Sequence, residues 1–298
     1  MPPVRVGVVD IGSNTARLLV ADAGAGGGIA PVCQERVYLR LGDDIHETGG
    51  ITERKLAATA AAAGRFARRA RDAGAVRVET IVTAPGRQAA NADALVETVR
   101  SATAAPVAVL AADDEGRLAW EGAVARADDV PDVVTVVDLG GGSLELATGT
   151  PTLGPAWVRS LELGALLVTR TWLHGDPPAP EDVAAARRDI RRQLARLAPP
   201  SPDLALAVGG TARALGRILG RSFTADDLDG LAAALARTPA REVAAPHGVS
   251  RQRTVTLLGG ALVLAAASRA LDAPLEVGRG GVREGAALAL AHAPAVAA

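Results

Sequence analysis

Two stretches of this chain, more than a hundred residues apart, follow one scheme, and that duplication constrains the fold more than any other feature. Residues 4–9 form a short apolar run that ends at Asp10, turns through Gly12-Ser13-Asn14 and resumes as Arg17-Leu18-Leu19-Val20-Ala21. Residues 133–137 repeat it. That run ends at Asp138, turns through Gly140-Gly141-Gly142-Ser143 and resumes as Leu144-Glu145-Leu146-Ala147. Apolar runs of this length around a glycine-containing polar turn read as paired strands. Two such hairpins so far apart predict a duplicated domain rather than a short repeat.

The intervening segments alternate. Helices are predicted over 52–73, 92–101 and 115–126, with strands at 78–82 and 107–110. In the second half an arginine-rich helix over 181–197 has a largely solvated face. A strand over 204–208 breaks at Gly209-Gly210-Thr211 and enters a helix over 212–219. Residues 254–271 read as a buried helix in which Gly259-Gly260 permit close packing. A charge run and Pro131 put a boundary near 127–132, giving lobes 1–128 and 129–298. The alternation argues for an α/β fold, and 298 residues suffice for about two domains.

Charge and composition narrow the function. The formal net charge is −1, so no global field draws in nucleic acid or membrane, and any polyanion needs a local site. Lys55 is the only lysine among 32 lysines and arginines; coding bias explains most of the arginines, although guanidinium forks also suit phosphate. Cys33 stands alone, which excludes an intrachain disulfide or a cysteine metal cluster. His46, His174, His247 and His292 lack metal-ligand spacing and read as structural. The apolar stretch at 257–267 is too short to span a bilayer, and the start of the chain shows no signal pattern. A cytoplasmic protein is expected.

Five constellations carry chemistry. At Gly12-Ser13-Asn14-Thr15, glycine permits close backbone approach, and amides with hydroxyls can donate to phosphate oxygens. Asp10, at a strand end, is placed for a hydrated cation such as Mg²⁺; an ordinary hairpin with an Asx turn is the plain alternative. Gly140-Gly141-Gly142-Ser143 is neither a Rossmann fingerprint nor a Walker loop, because Glu145 and a strand follow where a helix or a lysine would stand. Gly209-Gly210-Thr211 opens a helix, where free amides attract anions or Thr211 serves as a cap. Asp113-Asp114-Glu115 supplies helix-dipole partners or one general base for water. Arg17 and Arg87 can grip phosphate bidentately or lie in solvent.

Taken in order, residues 10–15, 83–91, Asp114-Glu115-Gly116-Arg117-Leu118, 138–145, Ser160-Leu161-Glu162-Leu163-Gly164, Gly209-Gly210-Thr211 and Arg279-Gly280-Gly281-Val282-Arg283-Glu284-Gly285 resemble the motifs of the exopolyphosphatase and guanosine-pentaphosphate phosphatase family. That family lies within the actin, Hsp70 and sugar-kinase superfamily. The resemblance implies two ribonuclease-H-like lobes around a cleft, of the short class that lacks a helical extension. It implies Glu115 as the catalytic base. Gly12, Ser13, Asn14, Thr15, Arg17, Arg87, Gly140, Gly141, Gly142, Ser143, Gly209, Gly210 and Thr211 would bind substrate. Asp10, Asp138 and Glu145 would hold Mg²⁺, with Mn²⁺ as the alternative metal. The partners would be inorganic polyphosphate or guanosine penta- and tetraphosphate, without nucleic acid or membrane. A homodimer is also expected, from the family and from the apolar 254–271 region, which reads equally as core. Three departures stand out: Ala111-Ala112 where the family has Ser-Gly, Pro85-Gly86 before Arg87, and Gly116 for a usual alanine. They keep open a binding protein that senses polyphosphate or guanosine tetra- and pentaphosphate without turnover. A kinase or ATPase of the same superfamily is the other alternative.

Overall fold

The opening apolar run becomes strand β1 (Val4–Ile11) and its return becomes β2 (Thr15–Ala23) in the computed structural model, which describes residues 3–24, 27–244 and 248–293. Val6, Val8, Val9 and Ile11 are all fully buried, the run expected of a strand covered on both faces. Next come β3 (Ile29–Tyr38), α1 (Leu41–Thr48), α2 (Glu53–Asp72), β4 (Arg77–Val82), α3 (Ala84–Gln88), α4 (Ala92–Thr103), β5 (Val107–Val109) and α5 (Ala112–Val124). The sheet order is β3-β2-β1-β4-β5, with the first three strands antiparallel and β4 and β5 parallel to β1. Helix α2 repeats its buried residues at helical spacing (Thr59, Ala62, Ala63, Phe66, Ala67, Ala70), so its small side chains lie along the sheet and Phe66 fills the space against it.

The second unit repeats the plan. Its elements are β6 (Val134–Leu139), β7 (Leu144–Thr150), β8 (Gly154–Leu161), α6 (Ala165–Trp172), α7 (Pro180–Leu194), β9 (Leu204–Val208), α8 (Gly209–Leu219), β10 (Ser222–Phe223), α9 (Ala225–Leu235), α10 (Ala240–Ala244), α11 (Arg251–Thr254), α12 (Leu257–Leu271) and β11 (Leu275–Val277). The order β10-β11-β9-β6-β7-β8 contains the same arrangement of three antiparallel strands and two parallel ones, plus the two-residue β10 at the edge. Both units therefore have the strand order of a ribonuclease-H-like sheet, and the α/β expectation holds.

Several boundaries differ from the sequence reading. The second unit begins at Ala127 but ends at Arg279, and Gly280–Ala298 belongs with Met1–Arg126. The returning helix, α13 (Val282–His292), packs on α5 and β1. Bare glycines permit this contact: a Cβ on Gly122 would lie 2.1 Å from the Gly281 carbonyl oxygen, and one on Gly285 would lie 2.0 Å from that of Leu118. The stretch 254–271 divides into α11 and α12, with Val255 and Thr256 between them. Helix α12 is core. Leu257, Val263, Leu264 and Ala267 are fully buried within the second unit, and this burial accounts for the apolar run without a second copy of the chain. Gly259 and Gly260 do permit close packing, because Cβ atoms there would lie 2.7 Å from Thr169 Oγ1 and 2.2 Å from Thr211 Cγ2. His247 lies outside the described residues. Among the described residues no helix is long and apolar enough to cross a membrane.

Three helices of the second unit meet at one carboxylate. Arg269 on α12 reaches Asp229 on α9 at 2.6 Å, and Arg187 on α7 pairs with the same side chain. Burial pushes the Asp229 carboxyl up, but the hydrogen bonds from Arg187 and Arg269 outweigh it and hold the group below the usual carboxylate range. A depressed value in the folded state stabilises above the unfolded value and loses that contribution as pH falls through the folded one. Asp229→Asn is therefore expected to cost on the order of 1–2 kcal/mol at neutral pH. Urea unfolding should show the gap from wild type closing under acid conditions.

Candidate active site

The two hairpin turns are built alike down to their closing bond. Gly12 donates its amide to the Thr15 carbonyl at 3.0 Å, and Gly140 donates to the Ser143 carbonyl at 3.0 Å. Each turn is also held from behind. In the first unit the Gly42 amide, in the first turn of α1, donates to the Ser13 carbonyl at 2.8 Å, while the Leu39 and Arg40 amides both donate to the Asn14 carbonyl at 3.1 Å. In the second unit the first turn of α6 serves. Ala165 donates to the Gly140 carbonyl, and Leu166 and Leu167 donate to the Gly141 carbonyl, all at 3.0 Å.

This anchoring fixes which way the amides point. A trans peptide sets each N–H opposite the preceding C=O. Carbonyls tied to Leu39, Arg40 and α1, or to α6, thus turn the Asn14, Thr15, Gly141 and Gly142 amides away from those supports, leaving a row of donors of the kind that holds phosphate oxygens. Ser13 adds a sharper sign. Its side-chain hydroxyl is 4% exposed as a residue, and its Oγ has no hydrogen-bond partner among the described residues. A buried hydroxyl without a partner costs about 1–3 kcal/mol, which a bound acceptor would recover.

Position by position, the duplicated hairpins differ in one informative place. Asp10 sits opposite Arg17 in the β1–β2 register, whereas Asp138 sits opposite Glu145 in the β6–β7 register. Directly opposed residues share one face of an antiparallel pair. The second unit therefore brings two carboxylates together, with Glu145 1% exposed and accepting the Ser160 hydroxyl at 2.8 Å. In the first unit Asp10 is subject to charges of both signs. Burial raises its carboxyl above the usual range, the charges of Arg283 and Arg17 oppose that shift, and Glu284 adds to it. Among the described residues no group of three or more His, Cys, Asp or Glu side chains is arranged to hold a metal. A pair of carboxylates suffices for Mg²⁺, which keeps several waters and takes one or two protein carboxylates alongside phosphate oxygens. Asp138 and Glu145 fit that donor set, whereas Asp10 feels the opposing charges of Arg283, Arg17 and Glu284.

Of the acidic triplet, the fold singles out one member. Asp113 and Asp114 are exposed in the first turn of α5, and Glu115 is buried. Arg87, on the short α3, meets Glu115 Oε2 at 2.8 Å through its Nη1 and donates to the Leu110 carbonyl at the same distance. The two side chains that the sequence singles out at this point are thus ion-paired with each other.

The third loop differs from the sequence reading in detail. Helix α8 starts at Gly209 with Val208 as its cap residue, so Thr211 lies within the first turn rather than at the cap. Its hydroxyl accepts from Arg253 Nη1 at 3.3 Å. Gly209 has φ +93° and lies so close to the β6 end that a Cβ would come within 3.0 Å of Asp138 Oδ1. Gly210 lies under the Arg253 guanidinium, where a Cβ would come within 2.5 Å of Nη2. The second unit thus gathers Asp138, the opening amides of α8 and Arg253.

Two groups of residues were absent from the sequence reading of the site. Arg253 has no local signal, since it is one arginine in an arginine-rich chain. Arg283 and Glu284 stand at the start of α13, 6% and 5% exposed, with Arg283 donating to the Leu18 carbonyl at 3.3 Å. They belong to the late motif, and only the return of α13 to β1 brings them to Asp10.

Two ribonuclease-H-like units, each carrying an amide-lined glycine turn beside acidic side chains, define a phosphate-handling protein of α/β architecture. The family follows from comparison. The Ppx/GppA phosphatase family matches residues 19–293, and the chain belongs to that family. It is similar to exopolyphosphatase 1 of Mycobacterium tuberculosis, with 35% identity over 90% of this chain and 83% of that one. Exopolyphosphatase 1 of Mycobacterium leprae is 34% identical over 90% and 84%. Among solved structures, the Aquifex aeolicus PPX-GPPA enzyme superposes with a TM-score of 0.81 at 25% identity, covering 97% of this chain and all of that one. The chain is thus an exopolyphosphatase-family hydrolase.

Proposed function

We propose that this protein releases terminal orthophosphate from inorganic polyphosphate, with guanosine pentaphosphate as a second substrate of the same chemistry. The observation that carries the reading is the matched pair of turns, each with its carbonyls tied back and its amides turned outward. The names of the mycobacterial relatives support the choice of polyphosphate.

Phosphoryl transfer asks mainly for positioning and charge stabilisation. The first unit supplies the base: Glu115 orients a water and accepts its proton as the oxygen attacks the terminal phosphorus. Arg87, released from Glu115 by the arriving phosphate, turns its guanidinium to the equatorial oxygens. In the first unit the amides of Asn14 and Thr15, with the Ser13 and Thr15 hydroxyls, bind phosphate oxygens and stabilise charge there; in the second unit the amides of Gly141 and Gly142, with the Ser143 hydroxyl, offer the same donors. Arg17, Gly12 and Gly140 shape these turns, while Gly209, Gly210 and Thr211 offer the opening amides of α8 to a further phosphate. Asp138 and Glu145 would hold Mg²⁺, or Mn²⁺ in its place, and the metal would neutralise charge on bridging phosphate oxygens. Asp10, which feels the charges of Arg283, Arg17 and Glu284, is assigned to the support of the first turn instead.

A second reading has one observation in its favour. The Arg87–Glu115 pair occupies the base, and a protein that never broke it would bind polyphosphate without cleaving it. The test is orthophosphate release by purified protein with Mg²⁺ from tripolyphosphate, long polyphosphate, guanosine pentaphosphate and ATP. Release from polyphosphate, with little from ATP, is the expected result. Saturable tripolyphosphate binding without release from any substrate would replace the hydrolase with the sensor. Release confined to ATP would overturn both.

A further inference from the structure

The two turns are supported unequally, and the difference falls on one side chain. In the second unit three consecutive backbone amides of α6 hold the turn. In the first unit α1 contributes one amide, and the other support comes from Leu39 and Arg40, in the two positions just before the helix. Arg40 is held in the left-handed region, with φ 52° and ψ 46°. A residue other than glycine at such angles costs on the order of 1–3 kcal/mol and persists only where its surroundings impose it.

Two donors hold the Arg40 carbonyl: the Asp43 amide, at 3.2 Å within the first turn of α1, and a side chain from α2. The Lys55 ammonium donates to the Arg40 carbonyl and lies 2.6 Å from Asp44 Oδ1. The other oxygen of Asp44 accepts from the Thr52 amide at 3.0 Å and from its hydroxyl at 2.7 Å. Lys55 and Asp44 are largely buried, their side chains 13% and 11% exposed. Lys55 stands in the first turn of α2, whose far side is embedded in the core. A continuous chain of contacts therefore runs from α2 through Lys55 to Arg40, and from Arg40 to the Asn14 carbonyl. Composition adds an independent argument. This chain uses arginine for every other cationic side chain, and its one lysine stands where a compact ammonium fits between a carbonyl and a carboxylate.

We infer that Lys55 is a positioning residue for the first phosphate turn: its ammonium clamps Arg40 in the left-handed conformation, and that clamp sets the direction of the Asn14 and Thr15 amides. The consequence for binding rests on the proposed phosphate chemistry, whereas the clamp itself does not. Arginine does not replace Lys55, because a planar guanidinium cannot occupy the space of the ammonium against both partners.

The test compares wild type with Lys55→Met, Lys55→Arg and Asp44→Asn. In ligand-free protein, hydrogen exchange of the peptide spanning residues 11–16 should quicken at least about tenfold in all three, with the second turn at 139–144 unchanged. With tripolyphosphate, KM should rise about tenfold while kcat stays within about twofold, the pattern of lost binding rather than lost chemistry. Faster exchange with no phosphate release from wild-type protein would sustain the clamp and remove the hydrolase reading. Unchanged exchange at 11–16 in Lys55→Met, or wild-type exchange and KM restored by Lys55→Arg, would overturn the clamp whatever the activity. Should Lys55→Met fail to fold, the Lys55→Arg and Asp44→Asn pair decides by the same two readouts.

Discussion

Glu115→Gln should lower phosphate release from polyphosphate by about 10²–10⁴-fold, the usual contribution of a positioned general base. Binding should survive the change. The amide keeps the shape of the carboxylate and can still accept from Arg87, but it removes a negative charge close to an incoming polyanion. It also weakens the 2.8 Å pair between Arg87 and residue 115. Calorimetric titration with tripolyphosphate should thus give an affinity equal to wild type or tighter, while colorimetric phosphate release falls to background. Loss of turnover together with loss of binding would mean that Glu115 holds the local fold rather than the water. Full turnover in the variant would remove Glu115 from the mechanism and direct attention to Asp113 and Asp114, the exposed acids of the same turn.

The parts of the site that the sequence reveals are those made by neighbours in the chain. Each hairpin needs only an apolar run, an aspartate and a glycine turn, so both turns and their strands can be read directly. Helix α2 is equally legible, because its alanines repeat at one period over twenty residues. The buried member of the acidic triplet is a different matter. Asp113, Asp114 and Glu115 occupy one helical turn, and what meets Glu115 is Arg87 of α3, an approach that leaves no mark near residue 115. Arg283 and Glu284 reach Asp10 only because bare backbone at Gly122 and Gly285 admits α13 against α5. Thr211 reads as a cap because a Gly-Gly-Thr string favours that position. The left-handed Gly209 instead lets α8 begin directly at the strand end and draws the threonine into the helix. The contrast between Arg17 and Glu145 could have been found by aligning the two hairpins, since each stands opposite the aspartate of its own strand pair.

Gly164→Ala carries the second large effect, and it isolates the second turn from the chemistry at Glu115. The backbone at Gly164 accepts any residue, with φ −64° and ψ 149°, so the obstacle is steric alone. A Cβ there would lie 2.2 Å from the carbonyl carbon and oxygen of Gly141 and 2.3 Å from the Gly142 nitrogen. All three are backbone atoms that no rotamer change can move, so either α6 or the turn must shift. Overpacking of this kind costs about 1–3 kcal/mol, and displacing a binding turn by about 1 Å can cost about 10²-fold in rate. The variant should therefore lose turnover and lower its thermal midpoint together. Asp229→Asn supplies the control for stability, since it weakens the same unit through α7, α9 and α12 without touching the turn. Gly230→Ala supplies the control for glycine replacement: a Cβ meets nothing within 4 Å there, and the exposed helix should gain about 0.5–1 kcal/mol. If Gly164→Ala lost only as much turnover as Asp229→Asn at matched stability, the second turn would be a structural hairpin. Phosphate binding would then rest on the first turn and the start of α8. A drop well beyond that control, with KM rising, would assign the second turn to the substrate.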